Sequence, residues 1–327
     1  MLKLVEKLTK AFGVSGDEEN IRDVIEKEIS SYVDEIKIDR LGNLVAVKKG
    51  TNKKIMLAAH MDEIGVIVTH IEDNGFLRFS MVGGVDYNVE ISSRVKFKND
   101  IVGVIYFEEK ANDNNKVASS RYFIDIGAKD KEDARKMINI GDTASFIGDI
   151  VVQNGKIISK ALDDRLGVLA LIETIKKNVK TDNEIYYAFT VQEEVGARGA
   201  KVCAYDINPD LAIAVDVTDT GDTMSDNNMD IKCGAGVAIK IKDRSVIVSP
   251  RVREFLIKIA IENNIPYQLE IMEDGGTDAG AIHTSGKGII TGAVSIPTRY
   301  IHTVSEISDI SDIMNTIELL SKVIREF

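Results

Sequence analysis

The sequence predicts an α/β fold: a mostly parallel central sheet flanked by helices, with a small β-rich domain inserted into it. Three observations predict it. Apolar runs of strand length alternate with stretches at helical spacing up to residue 65 and again from residue 159, a rhythm that implies a layered domain with a parallel sheet. Ile55–Ala59 is a nearly continuous apolar run, suited to a strand buried on both faces. Between residues 66 and 158 the texture changes to short alternating strands separated by turn clusters. The expected organisation is a discontinuous main domain, 1–65 and 159–327, carrying an insert, 66–158.

Taken in order, the chain opens with an amphipathic stretch that places Leu4, Val5, Leu8 and Phe12 on one face. Ser15-Gly16-Asp17-Glu18 then reads as a capping box for a helix carrying Ile21, Val24, Ile25 and Ile29. Strands follow at Leu44–Val47 and Ile55–Ala59. In the insert, Glu72-Asp73-Asn74-Gly75, Gly83-Gly84, Lys98-Asn99-Asp100 and Gln153-Asn154-Gly155 mark turns, and Lys131–Met137 reads as one short helix. Asn154-Gly155, between Asp149–Val152 and Lys156–Ile158, is a hairpin signal. Beyond it come a helix at Leu166–Lys177 and strands at Ile185–Val191, Leu211–Val217 and Val237–Lys242. Ser249-Pro250 starts a helix, with Ser as N-cap and Pro in the first turn. A strand at Ile289–Ser295 and a closing helix, Ser308–Phe327, complete the pattern.

Composition narrows the function classes. Of 327 residues, 44% are hydrophobic and 28% charged, as in ordinary globular proteins. The net charge of −11 argues against nucleic acid and anionic membranes as partners. No apolar run approaches the roughly 18 residues that span a bilayer, and the N-terminus has no unbroken apolar segment of the secretory type. The two cysteines, Cys203 and Cys233, stand outside any CxxC pattern and read as free buried thiols, which predicts a cytoplasmic location.

Ligand sites of open α/β sheets lie at the carboxyl ends of the strands. Just past the apolar runs stand His60-Met61-Asp62, Gln192-Glu193-Glu194 and Asp216, with His302 a short loop beyond Ile289–Ser295 and Asp163-Asp164 before a helix start. One fold thus gathers two of the four histidines and several carboxylates at one sheet edge. Mixed imidazole and carboxylate donors suit Zn²⁺, Co²⁺ or Mn²⁺ rather than Ca²⁺ or an iron–sulfur cluster. Asp163, Glu194 and Asp216 fall one negative charge short of two divalent ions, and a bridging hydroxide supplies it, since bound water can ionise near pH 7. In an extended chain residues i and i+2 share a side, so Asp62 can hold the second nitrogen of His60. Of the adjacent Glu193 and Glu194, one can bind metal while the other serves as general base; the chemistry alone leaves open which.

Several motifs resemble those of the tetrahedral aminopeptidases, a di-metal family also known as glutamyl aminopeptidases and, historically, as "cellulase M" endoglucanases. They are His60-Met61-Asp62-Glu63-Ile64-Gly65, Ala161-Leu162-Asp163-Asp164-Arg165, Gln192-Glu193-Glu194-Val195-Gly196 and Arg299-Tyr300-Ile301-His302-Thr303. Gly83-Gly84-Val85-Asp86 and Gly276-Thr277-Asp278-Ala279-Gly280 add to the match. The resemblance implies a fold of the di-zinc exopeptidase type. It implies two divalent ions per subunit, one held by His60 and Asp216 and the other by Glu194 and His302, with Asp163 bridging. It makes Glu193 the catalytic base and Asp62 the carboxylate behind His60. It also implies short peptide substrates, a dimerising insert and a tetrahedral homododecamer built from dimers.

Residues around these motifs allow two readings each. Gly275–Gly280 lacks the GxxxxGK phosphate-loop pattern; it is a plain turn or a substrate-facing loop in which Asp278 meets a substrate amine. Arg198 and Arg299 either bind a substrate carboxylate or form ion pairs within the fold. Glu306 either supports the site or is solvated, and His70 and His283 fall outside the constellation. Two rival functions are an endoglucanase working through paired acids, which the absence of Trp and the two strand-end histidines disfavour, and a non-catalytic peptide-binding or assembly protein.

Overall fold

A computed structural model describes residues 1–87, 90–108, 119–224 and 229–327. Its centre is a large sheet in which Glu184–Thr190, Lys54–His60, Leu211–Thr218 and Thr291–Arg299 lie side by side and parallel. Antiparallel strands extend one edge through Leu44–Lys48 and Glu35–Ile38. Val237–Lys242 and Tyr267–Ile271, parallel to each other, branch from Thr291–Arg299. Leu211–Thr218 is buried along its whole length, because helices cover both faces. On one face the helix Leu162–Lys176 carries Leu166, Leu169 and Ile172 into the core with Leu57 and Ile213. On the other, Arg198–Ile207 packs Ala200, Cys203 and Ala204 against Met56 and Ala58. Each fully buried Leu or Ile contributes about 1.5–3 kcal/mol.

The second unit is a closed antiparallel barrel of six strands, Gly65–Ile71, Leu77–Val82, Tyr122–Asp125, Val102–Phe107, Arg94–Phe97 and Thr143–Phe146. Its strands alternate inward and outward, as in Val102–Phe107, where Gly103 and Ile105 face in and Val102, Val104 and Tyr106 face out. Its core, with Val66, Leu77, Phe97, Ile124 and Phe146, is separate from that of the large sheet.

Two local expectations are corrected. The hairpin Val151–Gln153/Lys156–Ser159 forms with Asn154 and Gly155 both at positive φ, as its turn type requires. It joins the large sheet rather than the barrel, because Lys156–Ser159 pairs with Glu306–Asp309, which pairs in turn with Thr291–Arg299. Ser15–Glu18 is not a capping box: Glu18 is the N-cap of Glu19–Ile29 with no side-chain cap bond, and both side chains are engaged elsewhere. The strand Tyr267–Ile271 and the helix Arg198–Ile207 carry no clear pattern; most of the helix is Gly, Ala and polar residues.

Candidate metal centre

The parallel register puts the chemistry at one level of the sheet. Thr190 pairs with His60 at the carboxyl ends of their strands, and Asp216, two residues before the end of its own, pairs with Ser295 in mid-strand. His60 Nε2 stands 2.9 Å from Asp163 Oδ1 and 3.8 Å from Asp216 Oδ1. His302 Nε2 stands 3.1 Å from Glu194 Oε2 and 3.3 Å from Asp163 Oδ2. Two donor groups result, His60/Asp163/Asp216 and Asp163/Glu194/His302, each with its ligand atoms within 4.8 Å of one another. Asp163 belongs to both, offering one oxygen to each. Asp164 instead accepts from the Gly167 amide at 2.9 Å within its own helix.

The surroundings hold these ligands in place. Glu306, buried, accepts from the backbone amides of Asp163 and His302 at 3.0 and 2.9 Å, fixing two ligands with one side chain. Asp62 accepts from the amides of Glu193 and Glu194 at 3.0 and 3.2 Å and from Ser15 Oγ at 2.6 Å. His60 Nδ1 lies 3.2 Å from the Asp62 backbone oxygen and 3.5 Å from its carboxylate, so Asp62 orients the ring with both. Glu18 accepts from the amides of Gly16 and Gln192 at 2.7 and 3.2 Å, which ties the N-terminal loop to the turn carrying Glu193. The barrel contributes Gly84, whose backbone oxygen lies 3.0 Å from His302 Nδ1; a Cβ at Gly84 would come within 3.2 Å of that nitrogen.

The electrostatics call for cations. Burial, with the fields of Asp216, Asp278 and Glu194, raises Glu193 well above the usual carboxylate range. Burial likewise raises Asp216 and Glu194. Asp163 goes down despite its burial, because His302 and His60 bond to it. Burial opposes charge on His302, but Glu194 and Asp163 outweigh it and push its pKa up to about 12. His60 is raised in the same way by Asp163 and Asp62. Two imidazoles that would otherwise hold protons, each aimed at carboxylates, present the donor set that a divalent ion takes when it displaces those protons. Glu194 Oε1 is buried with no hydrogen-bond partner, a further vacant donor atom. The residues therefore fit a pair of divalent ions.

The remaining candidates lie elsewhere. Asp278 is buried behind the site, bonded to Thr190 Oγ1 at 2.5 Å, and does not line the cavity. Arg299 forms a two-pronged pair with Asp222 at 3.0 and 2.5 Å, and Arg198 reaches Gln192 Oε1 at 3.2 Å. His283 Nδ1 lies 3.2 Å from the Ile289 carbonyl, and His70 is exposed on the barrel. The supports supplied by Ser15 and Glu18 were not found from sequence; their pattern matched a helix start equally well.

The model of the M42 glutamyl aminopeptidase family matches residues 42–319. This chain belongs to that family. It is 33% identical to the lysyl aminopeptidase of Pyrococcus furiosus over 99% of this chain and 96% of that protein. Among solved structures, an aminopeptidase from the archaeon Desulfurococcus kamchatkensis superposes with a TM-score of 0.95 at 40% identity, covering 99% of this chain and 94% of that one. The TET1 peptidase of Pyrococcus horikoshii, which can assemble into a tetrahedron or a large octahedral shell, superposes at 0.89 with 34% identity, covering 100% and 99%. Membership of the M42 family makes the chain a peptide hydrolase and implies divalent metal ions. The endoglucanase alternative falls with it, and so does the non-catalytic one. Among the described residues no helix is long and apolar enough to cross a membrane.

Proposed function

We propose that this aminopeptidase removes N-terminal residues from short peptides by two-metal hydrolysis, with Glu193 as general base. The observation that carries this reading is Asp163, whose two oxygens address two separate donor groups 2.9 and 3.3 Å away. His60 and Asp216 would hold one ion, Glu194 and His302 the other, and Asp163 both. Bound ions of this kind supply a Lewis acid for the scissile carbonyl and make water a nucleophile at neutral pH.

The chain's own residues do the rest. Glu193 lines the cavity beside the ligands, and its amide is pinned by Asp62. Its raised proton affinity suits a base that takes a proton from the attacking water and returns it to the leaving amine nitrogen. Asp62 keeps the His60 ring and the Glu193-Glu194 turn in one frame. Zn²⁺ and Co²⁺, then Mn²⁺, suit the donors. Both cysteines are free, which supports a cytoplasmic location. We further propose that the insert 66–158, apart from its closing hairpin in the large sheet, serves dimerisation, and that dimers build a tetrahedral dodecamer.

The test is hydrolysis of aminoacyl-p-nitroanilides by chelator-stripped protein given back Zn²⁺, Co²⁺ or Mn²⁺, with N-acetylated substrates as controls. Only free-amine substrates should be cleaved, and only with metal. Glu193→Gln should retain two ions per chain while losing at least about 10²-fold in kcat; full turnover in that variant removes Glu193 as the base.

A further inference from the structure

A cavity of about 1080 Å³ opens onto both donor groups and extends well beyond them. One wall is the strand Tyr267–Ile271, whose side chains alternate. Glu270 points into the core, where it meets buried Lys240. Leu269 and Ile271 line the cavity instead and are 46% and 51% exposed. Apolar side chains left open beside a reaction centre are a surface for substrate.

The charge of the remaining wall is one-sided. Asp230, Glu273 and Asp274 line the cavity beside Asp219, which lies within the fields of His302 and Asp163, and among the described residues no Lys or Arg lines it. Lys242 pairs with Glu273 at 3.1 Å, in an exposed contact. Among the described residues Asp219, Asp230 and Asp274 have no ion-pair partner, although Arg244 comes close in space, its backbone amide donating to the Gly275 carbonyl next to Asp274. At the reacting end Glu194 lines the cavity, and its Oε1 is buried with no hydrogen-bond partner.

We propose that this cavity receives the side chain of the substrate's N-terminal residue, taking lysyl and arginyl ahead of neutral long side chains and rejecting glutamyl and aspartyl. The inference rests on the aminopeptidase reading above. A lysyl or arginyl side chain lays its methylenes along Leu269 and Ile271 and brings its charge to the acidic wall. A glutamyl carboxylate of similar reach meets the unpaired Asp219, Asp230 and Asp274, and no described Lys or Arg lines the cavity to receive it. The family description, which names glutamyl substrates, therefore does not transfer to this chain's pocket.

The experiment compares kcat/KM of the metal-loaded enzyme for Lys-, Arg-, Leu-, Gln- and Glu-p-nitroanilide at low and high salt, with the leaving group constant. Gln and Glu match in shape and differ in charge, so Gln should exceed Glu by at least about tenfold, because like charges brought together are costly. Lys should exceed Gln, with the gap narrowing as salt screens the exposed acids. Asp274→Asn and Asp230→Asn, both at exposed positions, should each lower the Lys:Gln ratio about two- to fivefold, the range for one exposed charge pair. Glu turned over as fast as Gln, or Lys:Gln ratios unmoved in both variants, overturns the proposal. So does a flat panel when Leu-Xaa dipeptides discriminate at their second residue. If none of the five substrates is cleaved, the aminopeptidase reading has failed; if some are cleaved and Glu is preferred, only the pocket assignment has.

Discussion

Among the described residues, three clusters of buried or half-buried charged side chains differ in whether the chain neutralises them. Lys240 is fully buried between Glu270 and Asp243. Glu63 is buried between Lys160 and Arg165, and Arg165 also donates to the Leu8 and Ala11 carbonyls. In both groups a Lys or Arg from the chain meets the carboxylates. At the carboxyl ends of the parallel strands, Asp62, Asp163, Asp164, Glu193, Glu194, Asp216, Asp278 and Glu306 gather around two imidazoles, with no Lys or Arg bonded to any of them among the described residues. Isolated buried charge costs several kcal/mol per ion. The strand-end group holds more acids than its two imidazoles can neutralise, so it takes up either protons or external cations. Counting the acids alone would not separate these groups; asking where the compensating charge comes from does.

The largest effect that would break this comparison comes from Asp163. Asp163→Asn should reduce bound metal from two ions per chain to one or none and lower turnover by at least about 10³-fold, since polarisation of the carbonyl by bound ions is worth several kcal/mol. Metal content by plasma emission spectrometry, beside turnover, checks it. Two ions retained with ordinary activity would mean that Asp163 is not shared.

Next comes a self-neutralised group. Lys240→Met leaves Glu270 and Asp243 buried without their cation and should destabilise the protein by about 3–5 kcal/mol, read by denaturant unfolding of the chelated protein. Metal content per folded chain should not change. A loss of metal in step with stability would show that this group belongs to the site.

Much of this was legible beforehand, for a physical reason. Fully buried parallel strands leave long apolar runs, so the first ionisable residue after each run, such as His60 after Ile55–Ala59 or Asp216 at the end of Leu211–Val215, stands out. The supports were harder to see. Ser15 meets Asp62 across 47 residues and Glu18 meets Gln192 across 174, and no local periodicity encodes a contact at that distance. Glu306 was ambiguous because four residues after a ligand is also where a solvated acid can stand. The wall acids are the extreme case: Asp230 and Asp274 become neighbours of the site only when separate loops close around one cavity.

Glu306 gives a smaller effect than a ligand. It bonds to the amides of Asp163 and His302 without a ligand atom of its own in either donor group. Glu306→Gln keeps the shape but replaces one accepting oxygen with a donor, so one of the two amide bonds is lost and metal affinity or activity should fall about 10–100-fold, as for other groups that orient ligands. Titration with a competing chelator measures the affinity; an unchanged value would make Glu306 a structural acid like Glu270.

The smallest effect is the most direct test of the comparison, because it predicts opposite signs for one kind of change. In metal-free protein burial raises the cost of charge on Asp216, as do Asp163 and Asp278, and the field of His60 only partly offsets them. Asp216→Asn removes that charge, so the chelated variant should be more stable than the chelated parent by about 1 kcal/mol, the usual gain when an acid kept for function is replaced. With metal added the order should reverse, since the parent gains binding energy that the variant has given up. Glu270→Gln makes the same chemical change in a group the chain completes itself. It removes a charge that Lys240 needs and should destabilise with or without metal. Calorimetric unfolding of both variants, stripped and loaded, gives four comparisons. If Asp216→Asn destabilises the stripped protein as Glu270→Gln does, the chain neutralises the strand-end acids by itself, and the electrostatic case for external cations is lost.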